Sequence, residues 1–453
     1  MGKILVLAEK PSVGQEIARV LGCRKSGGGY LEGDKYIVTW ALGHLVTLSE
    51  PETYGEQYKK WSMETLPILP EKMELKVIPN TSKQYSVVRK LLNDVNTDSV
   101  IIATDAGREG ELVARWIIDK ANCRKPLKRL WISSQTDRAI KQGFDNLKDG
   151  KDYYNLYMSA QARAEADWIV GFNITRALTC KHNAQLSGGR VQTPTLAIIV
   201  RREKEIRSFR PKYYYTVKAE LGGFYATFQH DKGNSQIFDK DFAEELKSKL
   251  QDASFKVTDV KRTNKRTPPP ALYDLTELQR DANKIYGMSA KETLSVIQRL
   301  YEQHKALTYP RTDSRYLTDD IVPTLDERLA AVSMGEFAPV VSRIRSERRR
   351  ISTSCVNNAK VSDHHAIIPT EEQADVLRMS NEEKRIYLLV VKRFLSNFFD
   401  DYEYITIRAT LSSLGYTFTS NGRTVINLGW RDMENIADEE EQDEQYLPEF
   451  RQG

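Results

Sequence analysis

Cysteine is scarce in this 453-residue chain: Cys23, Cys123, Cys180 and Cys355 are the four present, widely scattered and never paired as C-x-x-C. That argues against a zinc ribbon and for reduced structural thiols. Long apolar runs are missing too. None approaches the ~20 residues that span a bilayer. The N-terminus, MGKILVLAEKPS, is too short and too quickly charged for a signal peptide, and Val6 stands where a myristoylation signal wants Ser or Thr. The expectation is a cytosolic protein that does not enter a membrane. Charge of one sign is also in short supply, since 67 basic and 62 acidic residues leave a net +5, weak evidence of a polyanionic partner. No G-x-x-x-x-G-K-[ST] loop occurs, because Gly150-Lys151 is followed by Asp152, which argues against a nucleotide-driven motor. Internal repeats and long disordered linkers are absent.

What is present is an ordinary globular composition, 40% hydrophobic and 28% charged. At roughly 100–200 residues per domain the length allows about two to four domains. The weak net charge is unevenly spread. Basic clusters occur at Lys261-Arg262 with Lys265-Arg266 and at Arg343, Arg345 and Arg348 to Arg350, while acid gathers at Asp438 to Glu441 and Asp443-Glu444. A basic run is as readily a solvated face as a phosphate contact.

The first 150 residues alternate strand and helix. Ile4–Leu7, Val100–Ala103 and Leu130–Ile132 read as short buried strands. Ser12 and Gln15 are spaced as a capping box for a helix carrying Val13, Ile17 and Leu21 on one face, and Thr136 caps another. This alternation predicts a parallel sheet covered by helices on both faces. Residues 152–207 read as helical, with Trp168, Ile169 and Phe172 on one face. Tyr213–Val217, Phe255–Val257, Tyr404–Ile407 and Tyr416–Phe418 read as strands, Leu275–Leu300 and Leu388–Phe399 as helix, and Pro268-Pro269-Pro270 as a stiff boundary.

Ligands of open parallel sheets bind beyond the carboxyl ends of the strands. Two strands deliver acids there, Glu9 and Asp105, and Glu109 and Glu111 follow at a helix start. A few carboxylates with waters and substrate phosphates suit magnesium and phosphoryl chemistry. Glu109 and Glu111 alone would read as acids complementing the helix dipole; Glu9 and Asp105 at two strand ends favour the metal. Far along the chain, Tyr309-Pro310-Arg311-Thr312-Asp313-Ser314 supplies a different chemistry. A tyrosine hydroxyl can attack a phosphodiester and hold the broken end covalently, so resealing needs no nucleotide. Arg311 is close enough in sequence to neutralise the charge developing on the phosphate.

Two distant motifs carry a family resemblance. Ala8-Glu9-Lys10-Pro11-Ser12 with Ala103 to Glu111 resembles the Toprim domain of type IA DNA topoisomerases of the topoisomerase III kind, and Tyr309–Ser314 matches their active-site signature throughout. The Toprim half alone also occurs in primases and nucleases, which do not need the tyrosine hexad. The family pattern is D-x-D-x-E, and Gly107 stands where its second Asp is expected, removing one ligand. The resemblance implies a magnesium site of Glu9, Asp105 and Glu109. It makes Tyr309 the nucleophile of a 5′-phosphotyrosine link and Arg311 its phosphate partner, with Glu9 protonating the departing 3′ oxygen and Lys10 near the scissile phosphate. Ser362–Thr370 resembles the family's histidine motif, with His364 the better match and His365 the fallback.

The resemblance also implies a strand-binding segment, Ser187-Gly188-Gly189-Arg190-Val191-Gln192-Thr193, whose glycines let backbone amides approach phosphate. Trp168 and Arg176 match the family nearby, and Trp61 is a further candidate contact. Aromatics beside cations suit unpaired bases, at roughly 1–3 kcal/mol per stacked base.

As a whole, the chain resembles a multidomain, toroidal α/β enzyme: a Toprim metal-binding domain over 1–150, the first part of a helical DNA-binding scaffold over 151–210, the first part of a β arch over 211–270, a tyrosine-bearing helical domain over 271–402 and the return of the arch over 403–453. The implied activity is ATP-independent breakage, strand passage and rejoining of single-stranded DNA, relaxing negative supercoils or unlinking DNA at the bacterial nucleoid, with a helicase as candidate protein partner. Family members continue beyond the point at which this chain stops, so the alternative is a shortened, catalytically impaired single-strand-binding fragment.

Overall fold

The computed structural model describes residues 2–230, 233–361, 364–433, 447–448 and 450. The acidic run 438–444, Glu449 and the motif residues Ser362 and Asp363 lie outside the described residues. The chain forms two compact units. The first holds residues 1–205, 273–332 and 357–390; the second holds 206–272, 333–356 and 391–453.

The first unit is built on a sheet of seven strands: β1 (Lys3–Ala8), β2 (Lys25–Ser26), β3 (Tyr30–Glu32), β4 (Tyr36–Trp40), β7 (Thr97–Ala103), β8 (Leu127–Arg129) and β9 (Lys148–Asp149), in the order β2-β3-β4-β1-β7-β8-β9. A pair of short strands, β5 (Val46–Leu48) and β6 (Leu75–Val77), stands apart. The central ladder β4-β1-β7-β8 is parallel, as its continuous apolar runs predict, and both outer edges are antiparallel. The period of two sends alternate side chains to two cores. Leu5, Leu7, Val100 and Ile102 pack with α2 (Ser82–Leu92), α3 (Arg108–Lys120) and α5 (Tyr154–His182). Val6, Ala8, Ile101 and Ala103 pack on the other face with α1 (Pro11–Val20) and α4 (Asp137–Asp145).

Two local expectations change and a third holds. Helix α1 begins at Pro11 with Lys10 at the N-cap and no side-chain cap, so the Ser12–Gln15 box does not form; Pro at the first helical position, with its preset φ, replaces it. The third strand ends at Arg129, and Leu130 to Ile132 form the exit loop instead. Thr136 does cap α4, accepting from the Ala139 amide.

The helix α6 (Gln192–Ser208) follows α5. In the second unit a five-stranded antiparallel sheet runs β10 (Lys218–Glu220), β11 (Tyr225–Gln229), β14 (Tyr416–Asn427), β13 (Tyr402–Ser413), β12 (Lys256–Thr267). One face packs on α7 (Lys240–Leu250) through Ala226, Phe228, Ala409, Leu411 and Phe418. Tyr213–Val217 is not a strand; only Tyr215 bridges, to Ile237. The remaining helices are α8 (Leu275–Tyr286), α9 (Ala290–Glu302), α10 (Leu325–Ala331), α11 (Ala338–Ser346) and α12 (Asn381–Ser396). Among the described residues no helix is long and apolar enough to cross a membrane.

Candidate active site

Parallel pairing of β1 with β7 sets Ala8 opposite Ala103, so the residues leaving both strands emerge side by side. The Asp105 amide accordingly donates to a Glu9 carboxylate oxygen at 3.1 Å. Arg129, fully buried, locks the Asp105 turn from behind. Its guanidinium donates to the carbonyls of Thr104 (2.8 Å), Asp105 (2.7 Å) and Leu130 (2.6 Å), and Glu111 neutralises it at 2.6 Å. Glu111 is fully buried in the first turn of α3 and bridges two arginines, Arg129 and Arg115 at 2.8 Å.

Within the same unit, Tyr309 lies over this strand edge. Its hydroxyl donates to Asp105 Oδ2 at 3.3 Å and its amide to the Ser133 carbonyl at 3.1 Å. Its ring is sandwiched between an edge contact to Tyr301 (centroids 5.4 Å apart) and a stack on His364 (4.1 Å). The fallback, His365, points away into a buried contact with the Ala366 carbonyl. His364 Nε2 meets the Ala106 carbonyl, which can only accept, so Nε2 carries the hydrogen and Nδ1 accepts from Ser133 Oγ at 3.0 Å. Burial pushes His364 down to about 3, and it is a neutral imidazole here.

The electrostatics separate the acids from the tyrosine. Burial, then the neighbouring Asp105, push the Glu9 carboxyl up to about 7. Burial likewise raises Asp105. Burial, then Asp105 and Glu9, drive the Tyr309 phenol far above its ordinary value, with Arg311 alone opposing. Burial pulls the Lys10 ammonium down, but Asp105 at 3.9 Å and Glu302 at 2.7 Å outweigh it and hold it up. Arg311 is exposed and makes no ion pair or hydrogen bond among the described residues, so its guanidinium is available to an anion.

Not every expected residue joins this cluster. Glu109 pairs with Arg163 at 3.0 Å on α5 and is half exposed, and Gly107 at the start of α3 offers no carboxylate. Among the described residues no three His, Cys, Asp or Glu side chains converge as a metal set. Trp168 is core: its indole donates to the Ser49 carbonyl at 2.8 Å, and Tyr54 and Phe172 pack on its ring. Arg176 is 1% exposed and donates to the Tyr58 carbonyl and to Glu52, so both side chains are engaged within the fold. Arg176 instead backs Trp61, 5.1 Å from the ring centre, which is 44% exposed and free to stack. In the 187–193 segment Arg190 is tied to Asp167 at 2.6 Å, Gly188 is buried against Thr175, the Gly189 amide donates to Thr193 Oγ1 at 2.9 Å, and Ser187, Val191, Gln192 and Thr193 are exposed.

Sequence reasoning missed Ser133, Glu302 and Arg129. Ser133 follows the third strand to leave the same edge, so the strand-end rule that found Glu9 and Asp105 reaches it. Glu302 and Arg129 carry no local signal.

Geometry and motif together define a Toprim-type strand edge closed by a tyrosine. Residues 4–135 match the Toprim domain family and residues 151–453 the DNA topoisomerase family. The chain belongs to the type IA DNA topoisomerase family. Over its whole length it is 54% identical to DNA topoisomerase 3 of Bacillus subtilis and 55% identical to DNA topoisomerase 3 of Bacillus licheniformis, covering 63% of each. It thus spans under two thirds of the length of these relatives. Full-length topoisomerase I of Thermotoga maritima shares the fold, with a TM-score of 0.73 at 24% identity over 99% of this chain and 69% of that one.

Proposed function

We propose that the chain cuts single-stranded DNA at Tyr309 and reseals it without ATP, as the catalytic part of a topoisomerase that relaxes negative supercoils or unlinks DNA. The observation that carries this reading is the Tyr309 hydroxyl set 3.3 Å from Asp105, beside a Glu9 carboxyl held near neutral pKa. In cleavage the phenol oxygen bonds to phosphorus and the bond to the 3′ oxygen breaks. The phenol proton passes to Asp105, and the departing 3′ oxygen takes the proton of Glu9; a group titrating near 7 can both give and regain it. Resealing reverses each transfer, and the phosphotyrosine conserves the bond energy, so no nucleotide is consumed. Arg311 and Lys10 neutralise the phosphate, while neutral His364 orients the Tyr309 ring by stacking. Ser187 to Thr193 and Trp61 hold the strand on the approach. Glu9 and Asp105 fit a magnesium ion, since two desolvated carboxylates leave positions for phosphate oxygens and water; bound there, it would stabilise charge on the phosphate. Glu109 would join only by leaving Arg163. The nucleoid is the expected location and a helicase, which supplies single strands, the expected partner.

A binding-only role is favoured by one observation: among the described residues none covers α6, which leaves Leu196, Ile198 and Ile199 more than half exposed. A labelled single-stranded oligonucleotide with magnesium separates the readings. A protein–DNA adduct lost in Tyr309→Phe supports cleavage. Tight binding with no adduct, and no relaxation of supercoiled plasmid, would leave only the binding role.

A further inference from the structure

The sheet of the second unit has one face committed to α7; the register fixes what its opposite face carries. Lys261 lies directly opposite Arg408, which lies opposite Asn421. Two residues along, Thr263, Thr406 and Arg423 form the next row, and on the other side Thr410, Thr419, Thr227 and Lys218 align across four strands. Most of these residues, though not Thr410 or Arg423, line a concavity of about 600 Å³ whose walls hold Lys218, Lys261, Arg408 and hydroxyls, with no carboxylate among the lining residues. Asp259, directly opposite Thr410, and Glu220, two residues from Lys218, are on the same face by register but stand outside that lining. Like charges set directly opposite on neighbouring strands destabilise a sheet, and Lys261 and Arg408 are exposed and make no ion pair among the described residues. Among the described residues, Lys218 meets the Tyr225 ring, 4.2 Å from its ammonium, and makes no ion pair. Stability gives no reason for this arrangement; an external polyanion does.

We infer that this face is a second nucleic-acid contact, taking the sugar–phosphate backbone of a single strand across Lys261 and Arg408 with Lys218 at its far side. Hydroxyls spaced along the strands donate to phosphate oxygens without reading sequence, and Tyr225 offers an aromatic surface for a base. The contact is separate from Tyr309 and does not rest on the cleavage chemistry.

The test uses the whole chain with Tyr309→Phe, so that binding is read without cutting, and a fluorescent oligothymidylate titrated over a range of salt. Each phosphate contact on a single strand contributes about 0.7 to the salt slope, so Lys261→Gln with Arg408→Gln lowers the slope by about 1.4. The same double variant melts no lower than its parent in the absence of DNA. Arg266→Gln, whose guanidinium is already paired with Glu403 at 3.0 Å, is the control and leaves the slope in place. A second variant, Asn421→Asp, keeps the shape and places an anion in the Lys261–Arg408 row; it weakens strand binding. An unchanged slope in the double variant overturns the proposal, whether the occupant is then the chain's own acidic stretch or nothing. So does displacement of the strand by inorganic phosphate at matched ionic strength, which would mark a small-anion site. Failure of adduct formation in the parent chain, with these slopes as expected, would count against the cleavage reading alone.

Discussion

At the scale of single residues, the burial that suits Glu9 to the proposed proton transfer should be visible as a cost. Its carboxyl titrates near 7 in the fold against an ordinary 4.5. A folded pKa raised above the unfolded one means the native state holds the proton more tightly, so stability falls as pH rises from about 4.5 to 7 and is constant above. At about 1.4 kcal/mol per pKa unit the cost above pH 7 reaches about 3 kcal/mol at most. Glu9→Gln removes it. The variant should melt higher than the parent at pH 8 and equally at pH 4, while losing cleavage; identical curves at both pH values would show Glu9 to be an ordinary exposed acid. The buried histidines work in the opposite sense. His364 is depressed to about 3 and His365 to about 4, both by burial. The unfolded chain takes up their protons first, so stability drops as pH falls from about 6.5 towards 4. A cleavage profile limited by His364 ionisation near 6.5 would contradict its neutral, stacked placement.

At the scale of elements, the close seat of α3 against the Asp105 turn depends on Gly110. A Cβ there would meet the Asp105 carbonyl oxygen at 2.0 Å, and backbone cannot swing aside as a side chain would. Gly110→Ala should therefore destabilise by roughly 1–3 kcal/mol, the usual range for overpacking. It should also cut adduct yield by more than the lost folded fraction, because Asp105 moves with the turn; melting and adduct assays on one preparation check both. The same element shows what could be read from sequence. Glu9 and Asp105 were legible because a strand's apolar run marks its end, and parallel neighbours bring their ends together. Tyr309 was legible from its hexad, and the two-sided burial of β1 from its unbroken run Ile4 to Leu7. The i,i+4 pair of Glu111 with Arg115 could be read from the helix, but its second partner Arg129 could not, being 18 positions on and on strand β8. Trp168 and Arg176 matched a pattern shared with the family, but pattern does not distinguish a ring facing a strand from one facing Ser49. The Ser12 capping box failed because Pro11 starts a helix by its fixed φ.

At the scale of the molecule, the proposed strand passage would require the tyrosine-bearing segments of the first unit to part from the strand edge after cleavage, and the contacts between them suit that. The two apolar clusters under the seven-stranded sheet are drawn from residues 4–172 alone. Segments 273–332 and 357–390 meet the sheet's edge through polar links: Lys305 with Glu16, Arg138 with Glu327, Lys10 with Glu302 at 2.7 Å and Thr136 with Glu371 at 2.9 Å. The half-exposed Arg138–Glu327 pair is of the kind that contributes about 0–1 kcal/mol, the Lys305–Glu16 and Lys10–Glu302 pairs are largely buried, and at 0.1 M salt charges are screened beyond about 10 Å. Such a seam can hold without DNA and still open. The Tyr309 amide, which donates to the Ser133 carbonyl across the seam, reports on it. Its hydrogen exchange should quicken as salt rises, and quicken at low salt in Lys305→Ala combined with Arg138→Ala. The amides of Leu7 and Ile102, inside the central ladder, should not respond to either change. If the Tyr309 amide exchanges only with those ladder amides, the segments open by global unfolding, and a polar seam is not what lets the break widen.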